Sequence, residues 1–414
     1  MLQRALDETY PAEVRRHITG LTLARTTANA CFRFTPAFLA TIAAGQGVSL
    51  DRIGIAVAIS ELSGLVSPAM GIVAERLHRR TAMWAGLLGV GLGTGLAAVS
   101  TNLVVFAIAL VTIAQSKVLF DLGLAAWLSD RVPFDRRGRV IGLTETSWAL
   151  GLLLGVTTMG LVTAATNWRV GYAVGAVAVV ALAAYVSRVV EDDPAGQGHA
   201  DRRAAGSGRM SRRGWVVMAG TFCLMSASQA LFVTFSSWLK DHFGFTDTGI
   251  SVVAFCLGFG ELAASLSAAK FSDRWGKERS AAGGAAVMVP AALLLVVLHD
   301  HVALGLPLLL LAIVAFEFAI VSVIPVATET VPGSPAKGMA FSLGAGTVGR
   351  ATMSGVATRV YVDHGMAWPA ALCAVFATGT IVAMWRADVH HFRGFPPRQA
   401  AGPASETVPH GGAA

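Results

Sequence analysis

Residues 71–80 read GIVAERLHRR and residues 269–277 read AKFSDRWGK. Each stretch closes a long apolar run with a small residue, then an acid–arginine pair, then further basic residues. The two stand 198 residues apart. Val132-Pro133 with Arg137-Gly138 after it, and Val331-Pro332 with Lys337-Gly338 after it, repeat the correspondence at shifts of 199 and 200. Two landmarks at nearly the same shift make the chain two copies of a single unit.

The unit is a bundle of apolar helices. Of 414 residues, 54% are hydrophobic and only 14% charged, against roughly 25% charged in soluble domains. Mean hydropathy is +0.61. A bilayer core of about 30 Å takes roughly 20 apolar residues as helix. Lipid leaves unpaired backbone groups no partner, so such runs are helical. Twelve runs qualify: 19–42, 52–74, 82–100, 103–128, 140–166, 169–188, 215–239, 249–270, 281–299, 303–328, 338–361 and 366–386. The expected fold is an all-α integral membrane protein, with twelve transmembrane helices in two pseudo-symmetric six-helix bundles. The expected organisation is a tail at 1–18, a first bundle at 19–189, a linker at 190–214, a second bundle at 215–386 and a disordered tail at 387–414.

Positive residues stay on the cytoplasmic side. The even-numbered loops and both tails hold 24 of the 32 Lys and Arg, the odd loops four, and the spans four. Both termini are therefore expected in the cytoplasm, with the chain in the cell membrane. Topology also accounts for the net charge of +7, so no nucleic-acid partner is expected. Residues 1–18 lack a signal-peptide pattern, and the first apolar stretch reads as a span. The four cysteines fall in four different spans and read as small apolar fillers.

At these residues the sequence resembles the major facilitator superfamily, over essentially all of 19–386. That family's loop signature, Gly-x-x-x-Asp-Arg-x-Gly followed by basic residues, occurs once per half. Gly71, Glu75, Arg76, Arg79 and Arg80 match the first copy, with Glu for Asp. Asp273, Arg274, Gly276 and Lys277 match the second, where Ala269 departs from Gly. The resemblance implies a monomer that moves a small molecule by alternating access, with Glu75 latching against the start of span eleven. The plainer reading of Arg79 and Arg80 is positive-inside anchoring. The resemblance also implies that spans one, four, seven and ten line a cavity, that two, five, eight and eleven flank it, and that the rest face lipid.

Charge placement follows that division. Spans three, six, nine and twelve carry no interior charge. Charge inside a bilayer is costly and persists where it has a partner or a cavity. Lys117 and Asp121, four residues apart in span four, share one helix face. They read either as a self-neutralising pair or as a proton site. In the second reading Asp121 carries the proton, and Arg33, one helix away, serves as the mobile cation. Glu61, Glu261 and Glu317 are alternative proton sites, with Arg350 the expected partner of Glu317 or Glu261. Glu145 reads as a first-turn acid at the start of span five.

Span seven supplies candidate substrate contacts in Gln229, Phe232 and Phe235, although its serines also suit helix packing. Span five carries Gly151, Gly155 and Gly160, three of the glycines in the family's antiporter motif, with Val156 for Pro and Met159 for Gly. On these grounds the expected activity is export of a small amphipathic or aromatic molecule by proton antiport. Proton-coupled uptake shares nearly every feature. A non-transporting membrane sensor or scaffold is the alternative from another class. No H-E-x-x-H, G-x-S-x-G or Walker sequence is present, so neither an enzyme nor a metal or other cofactor is expected. The partners expected are a small-molecule substrate, protons and membrane lipid.

Overall fold

The computed structural model describes residues 6–66, 70, 73–74, 76–132, 137–191, 210–331 and 335–394. Among the described residues there is no strand. The first half contains α1 (Ala12–Ala37), α2 (Leu39–Gln46), α3 (Leu50–Ser63), α4 (Arg79–Val99), α5 (Leu103–Arg131), α6 (Arg137–Leu150), α7 (Thr157–Ala165) and α8 (Trp168–Val189). A π turn, Gly151–Val156, joins α6 to α7. The second half contains α9 (Arg212–Phe232), α10 (Phe235–Phe243), α11 (Asp247–Trp275), α12 (Lys277–Leu298), α13 (Val302–Thr328), α14 (Pro335–His364) and α15 (Ala367–Gly394).

Among the described residues, nine helical units are long and apolar enough to cross a bilayer, and ten if α2 and Leu50–Val66, bent by 115°, count as one. α1 and α14 have the length, 26 and 30 residues, but not the hydropathy. Their polar residues face inward: Asn29, Arg33, Ser354 and Thr358 are all buried. Large apolar side chains such as Leu92, Val177, Val297 and Val375 point outward from α4, α8, α12 and α15, the helices read as lipid-facing.

The repeat shows in the backbone. α1 gives way to α2 at Phe38, and α9 to α10 at Val233-Thr234. Both short helices then end on a left-handed glycine, Gly47 at φ 65° and Gly244 at φ 67°. The tightest turns rest on Asn side chains. Asn102 Oδ1 accepts from Val105 N at 3.0 Å, and Asn167 Oδ1 from Arg169 N at 3.0 Å.

Three boundaries differ from expectation. α1 begins at Ala12, inside the expected tail, because Leu6, Tyr10 and Val14 pack into the core and Glu13 pairs with Arg131 at 2.7 Å. α15 runs to Gly394 rather than 386, with Ala387 buried and Asp388 paired to Arg279 at 3.1 Å. α9 begins at Arg212, capped by Ser211. Most of the expected linker (192–209) and the end of the tail (395–414) lie outside the described residues.

The halves meet along two seams, α3 with α14 and the α6–α7 unit with α11. Small residues make the second seam close: a Cβ on Gly258 would fall 2.3 Å from the Leu153 nitrogen. Further ties lie at the end opposite the chain's amino terminus. Thr41 Oγ1 donates to Asp247 at 2.6 Å, and Arg359 lies 3.7 Å from Asp51.

Candidate functional site

The intramembrane charges gather into three clusters. In the first, Asp121 accepts from Lys117 Nζ at 2.6 Å and from Arg25 Nε at 3.0 Å. Arg25 also donates to Glu145 at 2.8 Å and to the Thr144 carbonyl at 3.1 Å. This corrects two expectations. The cation on Asp121 from α1 is Arg25, not Arg33, because Arg25 lies two helical turns nearer the amino terminus. Glu145 lies two turns inside α6, which starts at Arg137, and there it neutralises Arg25 rather than the helix end.

The second cluster joins the halves. Arg33 Nη1 and Nη2 donate to Glu261 Oε2 and Oε1 at 2.7 and 2.6 Å. Such a two-pronged pair has both the strength and the directionality of parallel charge-assisted hydrogen bonds. Arg33 also donates to the Trp148 carbonyl at 3.0 Å. Its guanidinium lies 4.6 Å from the Trp148 ring centroid and 5.3 Å from that of Phe232. Lys117 Nζ approaches the same Trp148 ring at 5.8 Å, which brings the first two clusters together. Glu317 accepts from Ser265 at 2.7 Å and lies close enough to feel the charges of Glu261, Arg33 and Glu145. Glu261 and Glu317 are both buried.

The third cluster is Arg350 with Glu61, at 2.9 Å across the α3–α14 seam. Arg350 was expected on Glu317 or Glu261. It turns instead towards the first half, where α14 packs along α3.

Phe232 reaches the Arg33 guanidinium. Phe235 is fully buried in the core, with its ring 5.6 Å from that of Phe232. Gln229 donates to Ser354 Oγ at 2.8 Å and so ties α9 to α14. Gly151 and Gly155 face α1, and Gly160 faces the α1–α2 junction. A Cβ there would fall 2.8 Å from Asn29 Cβ, 2.3 Å from Ala30 Cβ and 2.2 Å from the Phe38 ring.

Of the loop motifs, Gly71 and Glu75 lie outside the described residues, so the latch assigned to Glu75 does too, as does the side chain of Asp273. Arg79 is buried and pairs with Asp130 at 2.9 Å, a partner within its own half. Arg76 and Arg274 are exposed, while Arg80 and Lys277 are half-buried. Gly276 links α11 to α12 at φ 88° and ψ 136°, a conformation that only glycine adopts readily.

Sequence reasoning did not single out Arg25, Trp148 or Ser265. Arg25 was visible as an intramembrane charge. Trp148 stands three residues after Glu145, one helical turn along the same face. Ser265 stands four after Glu261.

Known proteins share this architecture. The model of the family described as "Major Facilitator Superfamily" matches residues 21–328 and again 217–408. The uncharacterized MFS-type transporter YwfA of Bacillus subtilis (strain 168) is 24% identical over 228 residues, 52% of this chain. The chain spans about half of that relative, 53%. A bacterial homologue of the human lysosomal transporter Spinster, in an inward-facing and occupied conformation, superposes with a TM-score of 0.67 at 14% identity, over 91% of this chain and 96% of that one. The human organic anion transporter MFSD10 (TETRAN) superposes with a TM-score of 0.66 at 19% identity, over 91% of this chain and all of that one (100%).

Proposed function

The chain belongs to the major facilitator superfamily, and from that premise we propose that it is a secondary active transporter that exports a small amphipathic or aromatic molecule in exchange for protons. It works in the cell membrane, with both termini in the cytoplasm. The observation that carries this reading is the Arg33–Glu261 pair, buried where the two halves meet, with aromatic rings on the cation and Glu317 beside it.

The geometry supports a simple cycle. Two halves that rock about a central site expose it to each side in turn. A tie that crosses the halves has to be remade when they move, so whatever changes its charge biases the two states. A proton on Glu261 or Glu317 does this, and so does a substrate that competes for the same groups. Asp121, held by Lys117 and Arg25 within the first half, moves with that half as a unit. This makes Glu317 and Glu261 better placed than Asp121 to link protonation to rocking. The outer ties, Thr41 with Asp247 and Arg359 with Asp51, break when the end they close opens.

The test is the susceptibility of a pump-deficient bacterium to a broad compound panel, with wild type, Glu317→Gln or an empty vector at matched membrane levels. Protection by wild type that Glu317→Gln abolishes is expected. Accumulation of a compound with wild type, instead of protection, would reverse the direction and make the protein an uptake carrier.

A further inference from the structure

Charge balance in the intramembrane clusters points to the substrate's own charge, an inference that rests on the proton-exchange reading above. In the first cluster Asp121 and Glu145 are matched by Lys117 and Arg25. Glu261 is matched by Arg33, and Glu61 by Arg350. Glu317 is left over. Its only side-chain partner among the described residues is the neutral hydroxyl of Ser265.

The groups facing Glu317 leave this imbalance standing. From α1 it feels Arg33, from α6 Glu145 and from α11 Glu261, and all three are already engaged. The membrane-embedded stretches of α9 and α12 that pack on α13 carry no charged residue, and α14, which also packs on it, brings Arg350, already engaged by Glu61. The cluster is therefore one positive charge short. Beside that deficit, Trp148 and Phe232 already flank a planar cation, the Arg33 guanidinium. Ring faces favour cations, most of all where water is excluded.

We propose that the substrate is a monovalent organic cation with a planar or aromatic body, exchanged one for one with a proton at Glu317. In one state the missing charge is a proton on the carboxylate. In the other it is the substrate, whose body lies against Trp148 and Phe232. The proton leaves to water as the cation enters, so the cluster stays neutral in both states. One turnover then moves no net charge across the membrane. A dication would overfill the deficit and an anion would double it.

The experiment uses the full chain and three planar probes: N-methylacridinium (+1), methyl viologen (+2) and acridine-9-carboxylate (−1). In weakly buffered detergent, binding of N-methylacridinium is expected to release about one proton wherever Glu317 is protonated, and there to weaken about tenfold per unit fall in pH. In proteoliposomes an imposed pH gradient is expected to drive its accumulation, with the rate unchanged when potassium and valinomycin clamp the voltage at different values. Glu317→Gln is expected to lose proton release and pH-driven movement, while Glu317→Asp retains both and shows that the site is intact. Proton-driven movement of the carboxylate alone would overturn the cation class and leave proton exchange standing. Movement of N-methylacridinium driven by voltage without proton release would overturn proton exchange itself. Binding of none of the three would also overturn the cation class.

Discussion

Arg33 and Glu261 are 228 residues apart in the chain and meet through two hydrogen bonds of 2.7 and 2.6 Å at the seam between the halves. Neither side chain has more than a few per cent of its surface exposed. Removing one member leaves a buried charge without its partner, which typically costs about 3–5 kcal/mol. Arg33→Ala or Glu261→Ala is expected to lower thermal stability in detergent by an amount of that order. The double variant is expected to lose much less than the sum, because no orphan charge remains. Additive losses would mean that the pair is not coupled.

Arg25 holds three acceptors: Asp121, Glu145 and the Thr144 carbonyl. Lys117 holds one carboxylate, Asp121. Arg25→Ala is therefore expected to reduce membrane levels and stability more than Lys117→Ala. Purification yield and melting in detergent measure this directly. Equal losses would place the weight of the cluster on Lys117.

The contact between Thr41 and Asp247 closes the end of the molecule opposite the amino terminus. In a background without the four native cysteines, Thr41→Cys with Asp247→Cys is expected to form a disulfide that stops transport. Reductant is expected to restore it. Unimpaired transport with the bond formed would show that this end does not open during the cycle.

Gly155 lies against α1 so closely that an added Cβ would fall 2.3 Å from Ala30 Cβ. Gly155→Leu is expected to cost about 1–3 kcal/mol through overpacking, and Ala30→Gly to recover part of it. Gly276→Ala is expected to cost a similar amount, about 1–3 kcal/mol, for a different reason: the backbone there is one that a side chain opposes. Melting temperature resolves both, and no second-site change at a neighbour should rescue Gly276→Ala.

Much of this arrangement is legible in the sequence. The four-residue spacing of Lys117 and Asp121 already implied their pairing, since both sit on one helix. The spacing of Gly151 and Gly155 likewise implied a close helix contact, and α1 supplies it. Partner choice between helices was not legible. Whether Asp121 takes Arg25 or Arg33, and whether Arg350 takes Glu61 or Glu317, depends on the relative height and rotation of packed helices. One-dimensional spacing carries no record of either. The apolar signal is weaker in α1 and α14 than in most of the other helices, because their buried polar residues dilute it.

The π turn at Gly151–Val156 settles a question of angular phase. Gly160 follows Gly151 by nine residues, and at about 100° per residue a regular α-helix would carry it half a turn round, to the far side. Yet both glycines face the same neighbour, Gly151 meeting α1 at Asn29 and Gly160 the α1–α2 junction at Phe38. A wide turn absorbs about one extra residue and takes back roughly 100° of rotation, returning Gly160 to the near side. Gly160 there also lies beside Ser251 of α11, so one surplus residue lets a single helix present a smooth flank to both halves at once. Shortening the turn by one residue would rotate everything after it, and a bulky neighbour of Gly160 would then face the α1–α2 junction in its place.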